Sequence, residues 1–407
     1  MITYSLLIVL VIFGFKADDD QKVKQQRVEV QVLDFKENYS AGEKIELVFK
    51  ANETIEYQLW LKSSYGNVLL KANNDLLDTL LFTVPSFLSK KKGVIHYSLI
   101  SNQQAFHSGS LQISASHKKT EPLESYLGPT SINAGGKDYG MLTVLPTDEY
   151  DNPLEDSTLI AIEHQFLDIE TSEELAVDDF IAWKNIFSYE KSGRILVAAK
   201  SKEISSKEFT IDVFPSQAQN FNLDFRREHS YADGNQIMEF FTSTISDKFG
   251  NIISDGRVVE FSIETDTKQQ LRTTGSTING IARGYIVHPN AFATWTVQAF
   301  IPQMAESNTI ALQFDQAVKD YPIEFSSDNR KVKVGPIRSF MNQILPDGAA
   351  VTLYIYKDET LLEKIVKSSS QGKVHFKLSE DFFSSDIYTI EVISMGISKK
   401  YDRIKLK

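Results

Sequence analysis

The feature that most limits what this chain can fold into is a period of two. Val28, Val30 and Val32 alternate with polar residues, as do Leu111 with Ile113, and Phe209, Ile211 and Val213. Ile310, Leu312 and Phe314 repeat the pattern, followed by Leu353 with Ile355 and Ile390 with Val392. Successive side chains of a strand leave opposite faces of a sheet. Apolar residues at every second place therefore describe strands with one face in a core and one in water. β-Branched and aromatic residues dominate these places, which suits a pleated surface. A helical period is scarce, and its best candidate, Glu173 to Trp183, is short. The expected fold is all-β and antiparallel.

At 407 residues the chain exceeds what one hydrophobic core usually serves, and self-comparison shows how it divides. Ala41-Gly42-Glu43-Lys44 recurs as Ala134-Gly135-Gly136-Lys137, with Tyr231-Ala232-Asp233-Gly234 at the equivalent place further on. Asp148-Glu149-Tyr150-Asp151-Asn152-Pro153-Leu154 aligns with Asp247-Lys248-Phe249-Gly250-Asn251-Ile252-Ile253, and Phe249-x-Asn251 reappears as Phe340-x-Asn342. Trp295-Thr296-Val297-Gln298-Ala299 matches Tyr388-Thr389-Ile390-Glu391-Val392. Four units follow, near 22–116, 117–216, 217–316 and 317–407. A repeat of roughly 95 residues with some seven strands has the size of an immunoglobulin-like sandwich, so the expectation is a tandem array of about four such domains.

The Ala-Gly or Asp-Gly opening, the aspartate–aromatic–Asn turn and the strand after it resemble the bacterial Ig-like domains of the invasin/intimin type. The likeness is best over Ala232 to Phe314 in the third unit. It implies a β-sandwich fold and an extracytoplasmic setting, and it brings no catalytic residue with it. Val351 to Lys407, with Leu353-Tyr354-Ile355-Tyr356, Asp386-Ile387-Tyr388 and Lys405-Leu406-Lys407, is distantly similar to the C-terminal sorting domain of type IX secretion in Bacteroidota. Lys357-Asp358-Glu359-Thr360 and Asp386 depart from that family's pattern. A last Ig-like domain with a basic final strand is the alternative.

Ser5 to Phe15 is an unbroken, mostly apolar run, followed by Lys16, Ala17 and Asp18-Asp19-Asp20. As a helix it would span about 16 Å, half a bilayer core. Residues 1–17 are therefore expected to be a signal peptide, and the protein to be exported. No later segment is long enough to span a membrane as a helix. The chain has no cysteine, which excludes disulfides, thiolate metal sites, cysteine nucleophiles and a lipoprotein anchor.

The formal charge of −11 argues against nucleic acid, which needs a basic face. The charge is also local. The second unit has 19 acids and 9 bases, whereas the fourth has 12 acids and 15 bases. Between Lys137 and Lys184 lie 13 acids and no Lys or Arg. Glu163 to Asp179 is the least strand-like stretch and is expected to form a long loop or short helix outside the sandwich. Glu163, Asp168, Glu170, Glu173, Glu174, Asp178, Asp179 and Trp183 are accordingly the candidate partner-binding residues; a merely solubilising acidic face is the alternative.

Asp148, Glu149, Asp151 and Asn152 offer oxygen ligands in one tight loop, with Glu155 and Asp156 close behind, so calcium is the one cofactor to consider. The same residues also suit a hairpin turn. The seven histidines are spread along the chain without a metalloprotease pair, and nucleophile-elbow, phosphate-loop and dinucleotide motifs are absent. No catalytic residue is assigned. Of the aromatics that could meet a glycan, Trp60 and Trp295 are expected in sandwich cores and Trp183 at the surface. The role that fits is a non-catalytic, exported subunit of a bacterial envelope that binds a protein partner. Docking on an outer-membrane protein or secretion translocon from the periplasm suits it, for instance as a plug-like accessory of a type IX translocon. A surface adhesin and a carbohydrate-binding module are the alternatives.

Overall fold

The computed structural model describes residues 29–33, 36–52, 55–73, 79–116 and 123–407. The expected signal peptide, Val28 and the stretch just after Ser116 lie outside the described residues. Strands form where the alternation is strongest. Leu111 and Ile113 lie in Gln104–Ser114, Ile211 and Val213 in Phe209–Phe214, and all four side chains are buried. Among the described residues eight sheets form, and they enclose four separate clusters of buried side chains.

Each cluster is closed by one sheet of three strands and one of four to six. Sandwich 1 packs Phe49 and Phe82 against Leu59, Leu61 and Ile95; sandwich 2 packs Leu142 and Val144 against Ile160, Ile162 and Ile195. Sandwich 3 packs Met238 and Phe240 against Phe261, Trp295 and Phe314, and sandwich 4 packs Val332 and Phe376 against Leu353 and Ile390. Burial of each such side chain contributes about 1.5–3 kcal/mol. The fold is thus all-β, in tandem immunoglobulin-like sandwiches. The single helix among the described residues is one turn, Ser86–Ser89.

Sandwich 2 holds the candidate residues. Its strands are β1 (Glu124–Gly128), β2 (Ser131–Asn133), β3 (Tyr139–Leu145), β4 (Leu159–Phe166), β5 (Ile169–Ala176), β6 (Ala182–Phe187), β7 (Gly193–Ser201) and β8 (Phe209–Phe214). The small sheet runs β6-β3-β1 and the large one β2-β8-β7-β4-β5, with Ile204–Ser205 beside β7. β2 lies parallel to β8, and the other pairs are antiparallel.

Three expectations are corrected here. Glu163 to Asp179 is neither loop nor helix: β4 and β5 pair along their whole length, from Leu159 with Ala176 to Phe166 with Ile169. β5 is the last strand of its sheet and most of its residues are exposed on both faces, so no alternation marks it in the sequence. Glu173 to Trp183 is likewise the end of β5, a tight turn and the start of β6. Trp60 is not in a core. It is 40% exposed, because Leu59 and Leu61 on either side of it take the buried face.

Candidate interaction surface and its joints

The outer face of the small sheet of sandwich 2 is aromatic. Register sets Trp183, Thr143 and Tyr126 in one row, Asn185, Met141 and Gly128 in the next, and Phe187 beside Tyr139 in a third. Neighbours within a row have Cβ atoms about 5 Å apart, and the Tyr139 and Phe187 rings are 5.2 Å apart between centroids. Tyr126 is 58% exposed, Trp183 54% and Phe187 51%, with Tyr139 and Met141 exposed as well. Within this patch Asn185 Oδ1 is shielded from solvent and has no hydrogen-bond donor. Large exposed apolar patches on a soluble surface mark contact sites.

The same face in sandwich 3 mixes a network of charges with exposed Tyr285 and an apolar row of Ile237 and Val287. Asp224, Phe241 and Arg283 form one row, and Arg226, Glu239 and Tyr285 the next. Glu239 accepts from Arg283 at 2.6 Å and from Tyr285 at 3.1 Å, and Arg226 lies 3.6 Å away. The Arg283 hydrogen bond holds the Glu239 carboxyl below its usual range. Sandwich 4 shows Glu324, Lys333 and His375 across its row, with Lys333 and Glu324 paired at 2.9 Å. Sandwich 2 thus presents exposed rings on this face where sandwiches 3 and 4 form ion pairs.

The eight acidic-segment candidates are spread over four places. Glu163, Glu170 and Glu174 project from the outer face of the large sheet, and Asp168 sits in the β4–β5 turn. Glu173 faces the other way, towards the small sheet, and pairs with Lys184 of β6 across the open edge of the sandwich. Asp178, Asp179 and Trp183 line a shallow cleft with Leu175 and Ile181 at the turn joining β5 to β6. The acidic segment and the aromatic face therefore meet along the β5–β6 edge. Tyr126, Tyr139, Met141 and Phe187 belong to this face although none is among the candidates legible in the sequence. The signal was present in Tyr139-Gly140-Met141-Leu142, where apolar side chains occupy both phases of the alternation.

The calcium candidates have another use. Asp148 Oδ1 accepts the N–H groups of Tyr150 (2.8 Å) and Asn152 (3.0 Å). Its Oδ2 accepts Ser116 N–H (2.7 Å) and Asn152 Nδ2 (2.9 Å). Asn152 then reaches sandwich 1: its Nδ2 donates to Lys90 O and its Oδ1 accepts Lys92 N–H, both at 2.8 Å. Lys91 Nζ donates to Tyr150 O at 2.7 Å, Lys92 Nζ pairs with Glu155 at 3.0 Å, and Lys90 lies over the Tyr150 ring. Cations already reach this loop as three lysines of the preceding sandwich. Among the described residues no three His, Asp or Glu side chains stand where they could hold a metal ion.

Sandwich 3 repeats the joint on sandwich 2. Asp247 accepts from Ser216, Phe249 and Asn251, while Asn251 bonds Glu190 O at 2.7 Å and Ser192 N–H at 2.9 Å. Each aromatic of the turn lies on a glycine of the repeated opening motif: Tyr150 on Gly42 and Phe249 on Gly135. At the third joint Ser339 stands in the aspartate's place: its N–H bonds Gln343 O as the Asp247 N–H bonds Asn251 O, and its hydroxyl accepts the Met341 N–H. There Phe340 stacks on Tyr231 with centroids 3.5 Å apart, and Gln316 bonds Met395 O. His229 and His288 lie beside this joint, 3.7 and 4.0 Å from Asp233. Burial pushes the pKa of His288 down, as it does for His164, whose Nε2 is 3.4 Å from Tyr189 Oη. His96 and His375 are exposed on strands.

The fold and this surface define a class, tandem immunoglobulin-like sandwiches of which the second exposes a row of aromatic rings on its small sheet. No family model and no curated protein matches the chain. Among solved structures it is similar to the Escherichia coli adhesin FdeC at 12% identity, over 70% of this chain and 96% of that one, with a TM-score of 0.45. Invasin, a bacterial integrin-binding protein, matches at 12% identity over 93% and 79%, with a TM-score of 0.44. InvD of Yersinia pseudotuberculosis matches at 14% identity over 70% and 95%, with a TM-score of 0.41. The fold assignment rests on the strand pairing and core clusters above.

Proposed function

We propose that this chain is a non-catalytic, exported subunit of a bacterial envelope that holds a protein partner against sandwich 2. The observation that supports it is the aromatic face of Tyr126, Tyr139, Met141, Trp183 and Phe187, set where sandwiches 3 and 4 present ion pairs. The apolar run Ser5 to Phe15 supports export. In this reading the units 22–116, 117–216, 217–316 and 317–407 are the domains of the array. The partner is an outer-membrane protein or secretion translocon met from the periplasm.

A photo-crosslinking residue at Met141, with one at Glu239 as control, tests this in intact cells. Crosslinks to one envelope protein from position 141 alone are expected. Recovery of the chain only as a free monomer from both positions sinks the proposal. Protease added outside intact cells separates the two envelope settings: a periplasmic subunit is spared, whereas a surface adhesin is cut.

A further inference from the structure

The turn between β5 and β6 has counterparts in sandwiches 3 and 4. Asp178 and Ile181 exchange backbone hydrogen bonds of 3.0 and 3.2 Å around Asp179 and Phe180. Ile278 and Ile281 do the same at 2.9 and 3.1 Å around Asn279 and Gly280, and Ser370 and Lys373 at 3.0 Å each around Gln371 and Gly372. The second tip residue has a positive φ in all three turns: 77° at Phe180, 76° at Gly280 and 67° at Gly372. Glycine takes this conformation without steric cost, while a residue with a Cβ is strained there. One backbone shape thus uses glycine twice and phenylalanine once.

Packing within the sandwich does not call for the ring. Phe180 is 60% exposed and is not part of the buried cluster. A Cβ on Gly280 or Gly372 would come within 2.6 or 2.7 Å of Ile252 or Ile344, and in sandwich 2 that bridging position is Pro153. Strain kept at an exposed residue points to use rather than to stability.

We propose that Phe180 is the anchor of the sandwich 2 contact surface, inserted into an apolar pocket ringed by Lys or Arg on a protein partner; this rests on the docking function proposed above. The surroundings set the partner's chemistry. Asp178 and Asp179 precede the ring and line the cleft with Leu175, Ile181 and Trp183. Lys184, the nearest base in sequence, is taken by Glu173. The occupant must therefore bring cations to the carboxylates and apolar surface to Phe180 and Trp183. One aromatic seated in a pocket holds much of an interface's affinity, and charges at its rim set the encounter rate and salt dependence.

The test pans a displayed library of random peptides on the full chain. Enriched peptides are expected to carry Lys or Arg beside large apolar residues, and to bind more weakly as salt rises. Phe180→Gly and Phe180→Ala should each lower their affinity at least tenfold. Phe180→Gly should also raise the melting temperature of sandwich 2 by about 4 °C, while Phe180→Ala, which keeps a Cβ in the same backbone conformation, should not. Affinity lost in Met141→Glu but kept in Phe180→Gly overturns the anchor and leaves the contact face standing. Affinity kept in both variants overturns the docking function itself. Enriched peptides without basic residues, or binding to a glycan array in their place, overturn the partner chemistry. Self-association of the chain in sedimentation, lost in Phe180→Gly, would make the occupant a second copy and overturn the separate partner.

Discussion

Asn152 of sandwich 2 holds the Lys90 carbonyl and the Lys92 N–H of sandwich 1 at once, each at 2.8 Å. Removing that side chain strips a donor from buried Asp148 and leaves two main-chain groups of the neighbouring sandwich unpaired. Asn152→Ala should therefore cost about 3 kcal/mol. Urea denaturation measures the loss, and faster hydrogen exchange at the Lys92 amide assigns it to the joint. Asn251→Ala should act alike on the Ser192 amide.

Gly42 has φ +88°, and a Cβ there would lie 2.4 Å from the Tyr150 hydroxyl; at Gly135 the nearest atom, Phe249 Cε2, would be 3.1 Å away. Both alanine variants should lose about 1–2 kcal/mol to the left-handed backbone, with a further loss from collision in Gly42→Ala. Adding Tyr150→Ala to Gly42→Ala should recover part of that collision loss and none of the backbone loss. A double-mutant cycle by thermal denaturation separates the two.

Burial pushes the carboxyls of Asp148 and Asp247 up, but hydrogen bonds from Asn152, Ser116 and Tyr150, and from Asn251, Ser216 and Phe249, outweigh it and hold both below the usual range. The unfolded chain then takes up these protons first as pH falls. The two joints contribute their full stability above the unfolded aspartate value, and lose it as pH drops through the lower folded value. Urea midpoints measured from about pH 7 down to about pH 2 should fall through that window. Asp148→Asn should flatten the fall and lower stability at neutral pH, because its amide turns a donor towards an N–H.

Arg330 is buried in sandwich 4, with Nη1 donating to Phe383 O at 3.0 Å, Nη2 to Ser385 Oγ at 3.2 Å and Nε to Lys407 O at 2.5 Å. Arg330→Ala should destabilise that sandwich by about 3 kcal/mol by leaving carbonyls without donors. Calorimetry should show one transition lowered and the others unmoved.

The cores were legible in sequence because a covered sheet face imposes alternation, as at Ile390 and Val392. The phase was not legible in Leu59-Trp60-Leu61, where apolar residues fill both faces and only the packing decides which turns inward. β5 was illegible for the opposite reason: an edge strand with little buried on either side imposes no pattern. The aspartate–aromatic–Asn segment reads as a turn from its residue types alone. Its role as a joint was hidden, because its partners are main-chain groups some 60 residues away. Phe180 left no mark at all, since a positive φ is invisible until the backbone is seen.

The part of the joint common to both boundaries addresses Lys90 and Lys92, or Glu190 and Ser192, through their peptide groups. A coupling of that kind fits any unit whose terminal loop follows the same path. Duplication or recombination at such a boundary lengthens or reshuffles the chain without a new joint having to evolve. Each unit is then free to drift in sequence towards its own task, as sandwich 2 has done on the face where sandwiches 3 and 4 hold ion pairs.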